Sequence, residues 1–200
     1  MALQNRVLPT GEIVADPARG LFTGNRGCLH DDQRRLGRAR WKGKAWIICE
    51  LNFKGWKRQV MSPGSWTELF FLDEAVALAA GHRPCALCRR GAYDDFRAAW
   101  SGELKAVEMD AALHGVRLGE RVWQESEGLP DGVFVRVAGQ SFLLLGARML
   151  AYEPAGYGGA PARVRGQVEV LTPAPTVAVL RAGYRPVLHG TAGQGRGCRF

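Results

Sequence analysis

Residues 68–90 read ELFFLDEAVALAAGHRPCALCRR, and this stretch predicts the framework around which the chain folds. The apolar run over residues 69–72 is short enough for a strand. Asp73 then favours a helix start, because its carboxylate can accept hydrogen bonds from free backbone N–H groups. Gly81 is typical of a helix end, and Pro84 prevents the helix from resuming.

Two thiols, Cys85 and Cys88, follow that turn with two residues between them. Both sulfurs of such a pair can bind one zinc ion at about 2.3 Å. A reduced pair can also serve as a redox couple, but in thioredoxin-like proteins it follows a strand and opens a helix. Here the pair follows a helix and a proline turn, so zinc (Zn2+) is the expected cofactor. Free thiols without a partner remain the plain alternative.

Length and composition fit an ordinary globular protein of 200 residues, with 46% hydrophobic and 23% charged residues. No stretch approaches the roughly 20 apolar residues of a membrane helix. The first residues lack the basic and apolar blocks of a signal peptide, so we expect a cytoplasmic protein with no membrane contact. Five cysteines suit a metal site or free thiols better than a disulfide framework.

The net charge of +8 is concentrated in residues 34–58, which hold nine cations against the single Glu50. A localised basic segment is the electrostatic footprint of a polyanion such as DNA. Tryptophans interleaved with the cations would suit stacking on bases. The plain alternatives are a solvated surface and tryptophans that cover a small sheet. The predicted nucleic-acid-binding residues are Arg34, Arg35, Arg38, Arg40, Lys42, Lys44, Lys54, Trp56, Lys57 and Arg58.

The pattern predicts an α+β fold: a small antiparallel sheet with helices and a CxxC zinc knuckle, followed by a small β-rich region. Turn residues make residues 1–19 irregular and residues 19–32 a glycine-broken loop that ends at Cys28 and His30. We expect strands over residues 45–53, 57–61 and 66–72 and helices over residues 93–100 and 103–114. The predicted division is 1–115 and 116–200, the second part with a hairpin over 133–137 and 142–145, a strand over 167–171 and a helix near 175–182.

One internal repeat accompanies this division. Residues 73–84, DEAVALAAGHRP, align with residues 175–186, PTVAVLRAGYRP. Both copies predict a helix that ends at a glycine, but the second lacks the thiol pair. Tyr184 stands where the first copy has His82, which favours a packing role for that histidine.

Residues 68–90 resemble the second half of the metal-binding domain of the Ada DNA-repair protein. The resemblance covers about a tenth of the chain. It implies a zinc domain that sits on DNA. The matching residues are Phe70, Phe71, Asp73, Ala77, Ala79, Ala80, Gly81, Arg83, Pro84, Cys85 and Cys88.

This chain differs from the first half of that family pattern. Residues 20–22, GLF, are similar, but Thr23 stands where the family has its methyl-accepting cysteine. A hydroxyl cannot supply the thiolate that methyl transfer needs, so we disfavour that activity. Cys28 lies one residue after the position of the family's second cysteine.

A closed Cys3His zinc site is still expected if Cys28 and His30 supply the first ligand pair. The predicted metal ligands are Cys28, His30, Cys85 and Cys88. Cys49, which reads as a buried strand residue, and His82 remain alternatives for the fourth position.

The leading hypothesis is a zinc module that binds nucleic acid without catalysis. A first alternative is a metal-dependent nuclease that uses His30, Asp31 and Asp32, since a hydrolytic metal needs oxygen and nitrogen donors. A second alternative is a protein-interaction module with a structural zinc.

Overall fold

The computed structural model describes residues 2–56, 59–100 and 104–193, and it is an α+β fold with two six-stranded sheets. The described helices are α1 Glu74–Ala79, α2 Arg90–Ala99, α3 Ala106–Arg117 and α4 Ala174–Arg181. The expected α+β class is thereby confirmed.

The N-terminal sheet has the strand order β2-β1-β5-β3-β4-β6. Its strands are β1 Gln4–Val7, β2 Ile13–Ala15, β3 Phe22–Asn25, β4 Ile47–Glu50, β5 Leu69–Phe71 and β6 Arg83–Pro84. The pairs β1–β5 and β4–β6 are parallel, so the sheet is mixed rather than antiparallel as expected.

The C-terminal sheet is antiparallel throughout and has the order β11-β10-β9-β8-β12-β7. Its strands are β7 Val122–Glu125, β8 Phe134–Val137, β9 Gln140–Leu145, β10 Arg148–Glu153, β11 Gly156–Tyr157 and β12 Gln167–Val170. The predicted hairpin, the strand over residues 167–171 and the helix near 175–182 are confirmed.

Two N-terminal expectations were wrong. The irregular start contains β1 and β2, and the glycine-broken loop contains β3. The glycines permit close strand approach: a Cβ on Gly24 would lie 2.1 Å from the Ile47 carbonyl oxygen. Of the strand expected over residues 57–61, residues 59–61 form no strand, and Lys57 and Arg58 lie outside the described residues.

Helix α1 is the central element of the core. All six of its residues are buried, and it contacts both β5 and β8. Four of the six are alanine or valine, and such small side chains let a helix fit closely between neighbours. The buried hydrophobic residues around it form one continuous cluster drawn from both sheets.

The predicted caps of α1 are both present. The Asp73 carboxylate accepts from the backbone N–H of Val76 at 3.0 Å, and Gly81 has a φ of 84°. The repeat in the sequence reproduces only the C-terminal geometry at α4, where Gly183 has a φ of 113°, since Pro173 at the start of α4 makes no side-chain cap. The longest described helix, α3, has 12 residues, which is too few to span a membrane.

Candidate metal centre

Three thiols from separate parts of the chain meet at one edge of the N-terminal sheet. The sulfur atoms of Cys49, Cys85 and Cys88 all lie within 4.8 Å of one another. Sulfurs bound to one tetrahedral ion at about 2.3 Å would be about 3.8 Å apart, so the cluster fits a thiolate-bound metal. Among the described residues, no other group of three or more histidine, cysteine or carboxylate side chains has this spacing.

The parallel pairing of β4 with β6 brings the first two thiols together. Ile48 pairs with Pro84, and the N–H of Cys85 donates to the Ile48 carbonyl at 2.9 Å. Cys49 and Cys85 each come one residue after this pair. Neighbouring positions on adjacent strands share one face about 4.8 Å apart, so the two side chains point to the same place.

The turn after β6 supplies the third thiol. Its backbone closes with the N–H of Arg89 donating to the Cys85 carbonyl at 3.1 Å, which returns Cys88 toward the start of the turn. The N–H of Leu87 also donates to the Cys85 sulfur at 3.4 Å. Backbone donors of this kind favour the thiolate form that metals bind.

The three thiols differ in acidity in the absence of a metal. Interaction with the neighbouring Cys49 thiol lowers the pKa of Cys85 to about 5, and the same interaction raises the pKa of Cys49. Burial raises the pKa of Cys88. One thiolate is thus present near neutral pH, and a bound divalent ion would displace the protons of the other two thiols.

A buried ion-pair network borders the cluster. Arg89 follows Cys88 and donates through Nη1 to Glu74 at 2.6 Å and through Nε to Glu50 at 3.2 Å. Its guanidinium carbon lies 4.2 Å from the ring centroid of Phe22. The network fixes the start of α2, and with it the turn that carries Cys88.

Comparisons with family models, curated proteins and solved structures found no match to this chain. The chemistry of the site therefore follows from its own residues.

Cys28 and His30, the predicted first ligand pair, are not members of the thiol cluster. Both ring nitrogens of His30 are occupied: Nε2 donates to the Ser62 carbonyl at 3.1 Å, so Nδ1 accepts from the Thr67 hydroxyl at 2.7 Å. The Cys28 sulfur lies 3.8 Å from the His30 carbonyl oxygen. The structure brings Cys85 and Cys88, two predicted ligands, together with Cys49. The sequence predicts Cys49 only as an alternative ligand.

His82, the other alternative ligand, is fully buried in a polar and aromatic environment. Its Nε2 accepts from Arg26 Nε at 3.2 Å, and its Nδ1 donates to the Ala77 carbonyl at 3.2 Å. Its ring packs against Trp46 and Phe71. The packing role expected from the sequence repeat agrees with these contacts.

The nuclease alternative depends on Asp31 and Asp32 beside His30. The Asp31 carboxylate is engaged locally, since it accepts from the N–H groups of Gln33 and Arg35 and from Arg35 Nε. Within the described parts of the chain, His30, Asp31 and Asp32 do not form a group whose ligand atoms lie close enough together to hold one metal ion. The contacts are those of a solvated turn that precedes the arginine-rich segment.

The basic segment, defined as residues 34–58, lies largely at the surface. The exposed cations among its described residues are Arg34, Arg35, Arg38, Arg40, Lys42, Lys44 and Lys54. Within the described chain, Arg35 is the member that forms a salt bridge, with Asp31. Trp41 and Trp56 are exposed, whereas Trp46 is buried.

Proposed function

We propose that this protein is a zinc-thiolate module that binds nucleic acid, most readily DNA, through the basic segment. The observation that carries the proposal is the position of Cys49. Cys49 lies in the middle of the basic segment, and its strand β4 comes between a surface stretch with six exposed cations, residues 34–44, and the exposed Lys54. A metal bound to Cys49, Cys85 and Cys88 would tie these stretches to the core.

Zinc is the metal that suits the donor set. Thiolate ligands favour zinc over magnesium or calcium, which prefer oxygen. Three thiolates would leave one coordination position for a further ligand, and the ion would carry a net negative charge with them.

The surface of the basic segment has the chemistry expected for binding a polyanion. Among the described residues, six of the seven exposed cations of the basic segment have no carboxylate in salt-bridge contact. Exposed Trp41 and Trp56 add aromatic faces on which bases can stack. The resemblance of residues 68–90 to the Ada metal-binding domain agrees with this proposal. Methyl transfer by the family's route is not proposed, because Thr23 replaces the thiol it requires.

Binding of a labelled DNA duplex and a single strand, measured over a range of salt concentrations, tests the proposal. Phosphate contacts make the logarithm of affinity fall linearly with the logarithm of salt concentration. The double variant Lys42→Gln/Lys44→Gln should flatten that slope by about 2. The exposed Arg165→Gln, in the second half of the chain, is the matched control and should leave the slope unchanged.

Removal of the metal is a second test of the proposed function. If the ion orders the basic segment, the chelated protein and Cys49→Ser should both bind DNA more weakly than the metal-loaded wild type. A metal-loaded protein that shows no retention on DNA at moderate salt would contradict the proposal and favour the protein-interaction alternative.

A further inference from the structure

A cavity of about 400 Å³ lies away from the thiol cluster, between the start of the chain, the basic segment and the end of α3. Its lining includes an unusual concentration of positive charge. The four arginines that line it are Arg26, Arg40, Arg117 and Arg121. Glu12 is the one carboxylate in the lining, and it is exposed.

Arg26 is the most informative of the four. Its side chain is only 2% exposed, yet among the described residues it has no carboxylate partner. Nε donates to His82, Nη1 donates to the Gly11 carbonyl, and Nη2 has no hydrogen-bond partner in the described chain. A buried guanidinium without a counter-charge costs free energy unless a ligand supplies one.

A second buried arginine increases that cost. The guanidinium carbons of Arg26 and Arg117 lie 4.0 Å and 3.8 Å from the ring centroid of the same tryptophan, Trp46. Arg117 Nε is also buried without a hydrogen-bond partner in the described residues. Burial and the nearby Arg117 charge lower the pKa of Arg26 to about 9, which still leaves the guanidinium charged at neutral pH.

We propose that this arginine pocket, lined by Arg26, Arg40, Arg117 and Arg121 with Trp41 and Trp46, binds a phosphate monoester such as a mononucleotide. Guanidinium groups match the oxygens of phosphate through paired N–H donors, and a dianion offsets more of the accumulated charge than a carboxylate does. Trp41 is 39% exposed and offers a face on which a planar ring can stack. The cavity volume falls within the range of small-ligand sites.

The phosphate monoester could come from a free mononucleotide or from the phosphorylated end of a nucleic acid. The shared chemistry is the terminal dianion. The pocket shares Arg40, Trp41 and Trp46 with the basic segment, but its buried arginines, Arg26 and Arg117, lie outside residues 34–58. Saturable binding of a mononucleotide therefore tests the pocket separately from the salt dependence of DNA binding. Failure of one proposal therefore leaves the other intact.

Calorimetric titration with adenosine monophosphate, inorganic phosphate and adenosine tests the pocket. Wild-type protein should bind both phosphates saturably and adenosine not at all. Arg26→Gln and Arg40→Gln should each weaken binding about tenfold or more, as expected when one charged hydrogen-bond donor is lost. Arg165→Gln is the matched control, since Arg165 is exposed and lies outside both the cavity lining and the basic segment, and its affinity should stay within about twofold of wild type.

The exposed position of Arg40 keeps the test decisive if Arg26→Gln fails to fold. Oligonucleotides with and without a terminal phosphate identify the source of the monoester. Tighter binding of the phosphorylated oligonucleotide supports a nucleic-acid terminus as the ligand. Equally weak binding of both oligonucleotides, together with tight binding of the mononucleotide, supports a free nucleotide. Absence of phosphate binding to wild type, or equal affinity in the wild type and Arg40→Gln, would overturn the proposal.

Discussion

Thr23 and Cys49 lie directly opposite each other in the antiparallel pairing of β3 with β4. Directly opposed residues in such a ladder have Cβ atoms about 5 Å apart. The resemblance to the Ada metal-binding domain predicts a thiol at the position of Thr23. Thr23 instead lies opposite Cys49, whose thiol comes from the neighbouring strand. The thiol of the cluster at this point of the sheet therefore comes from β4 and not from β3.

Metal removal should lower stability. A ligand that binds only the folded chain stabilises it by about 3 kcal/mol when present at a hundred times its dissociation constant. We expect a chelator to lower the unfolding temperature of the wild type by several degrees. Cys49→Ser should show a smaller decrease on chelation, whereas Cys28→Ser should respond as the wild type does. Calorimetry with and without chelator measures this difference.

Glu74 should be among the most costly single positions to change. Its buried carboxylate accepts from Arg89 at 2.6 Å, from the Tyr184 hydroxyl at 2.6 Å and from the backbone N–H of Val187 at 2.9 Å. Glu74→Ala should reduce the free energy of unfolding by about 3 to 5 kcal/mol, because it leaves Arg89 buried without its main partner.

Urea unfolding of Glu74→Ala and of Glu120→Gln measures this effect. Glu120 is exposed, and its variant should unfold within about 0.5 kcal/mol of the wild type. Equal stabilities for the two variants would show that the Glu74 contacts do not hold the second half of the chain against α1.

The buried pair of Arg83 and Asp110 offers a double-mutant test. Arg83 donates through Nε and Nη2 to the two carboxylate oxygens of Asp110, each at 2.8 Å, and so links the residue before Pro84 to α3. Asp110→Ala should cost about 3 to 5 kcal/mol, while Arg83→Met/Asp110→Leu should recover a large part of that loss. A double variant as unstable as the single one would contradict this explanation.

Acid should destabilise the fold through His82. Burial and the charges of Arg26 and Arg117 hold the pKa of His82 well below its usual value near 6.5. The unfolded chain binds a proton there below about pH 6.5, whereas the folded chain does not. The unfolded state thus holds more protons in this window, and this contribution to the free energy of unfolding falls as the pH falls.

The limiting slope of that contribution is about 1.4 kcal/mol per pH unit. His82→Gln keeps an acceptor for Arg26 but cannot titrate, so its free energy of unfolding should depend less on pH between about 5 and 6.5 than that of the wild type. Chemical unfolding at several pH values makes the comparison. Identical pH profiles would count against a neutral buried imidazole.

The framework around α1 could be predicted because its signals are local. Asp73 caps the helix and Gly81 ends it through short-range backbone chemistry that neighbouring residues alone determine. Strand β3 differs from the predicted loop because glycines such as Gly20 and Gly24 are typical of loops. Their actual requirement is close backbone contact: a Cβ on Gly20 would lie 1.9 Å from the Phe71 carbonyl oxygen. That contact exists only after distant strands pair.

The sequence leaves Cys49 only an alternative ligand for a physical reason. A single cysteine in a strand has the same local pattern whether it is a buried apolar side chain or a ligand. What distinguishes it is the parallel register of β4 with β6, which no local pattern encodes. The arginine pocket was missed for the same reason, since Arg26, Arg117 and Arg121 come together only in the folded chain.

Metal content by mass spectrometry under native conditions tests the central claim most directly. We expect one zinc ion per wild-type chain, loss of that ion in Cys49→Ser, Cys85→Ser and Cys88→Ser, and its retention in Cys28→Ser and His30→Ala. Stoichiometric zinc in Cys49→Ser, or its loss in both Cys28→Ser and His30→Ala, would contradict the account.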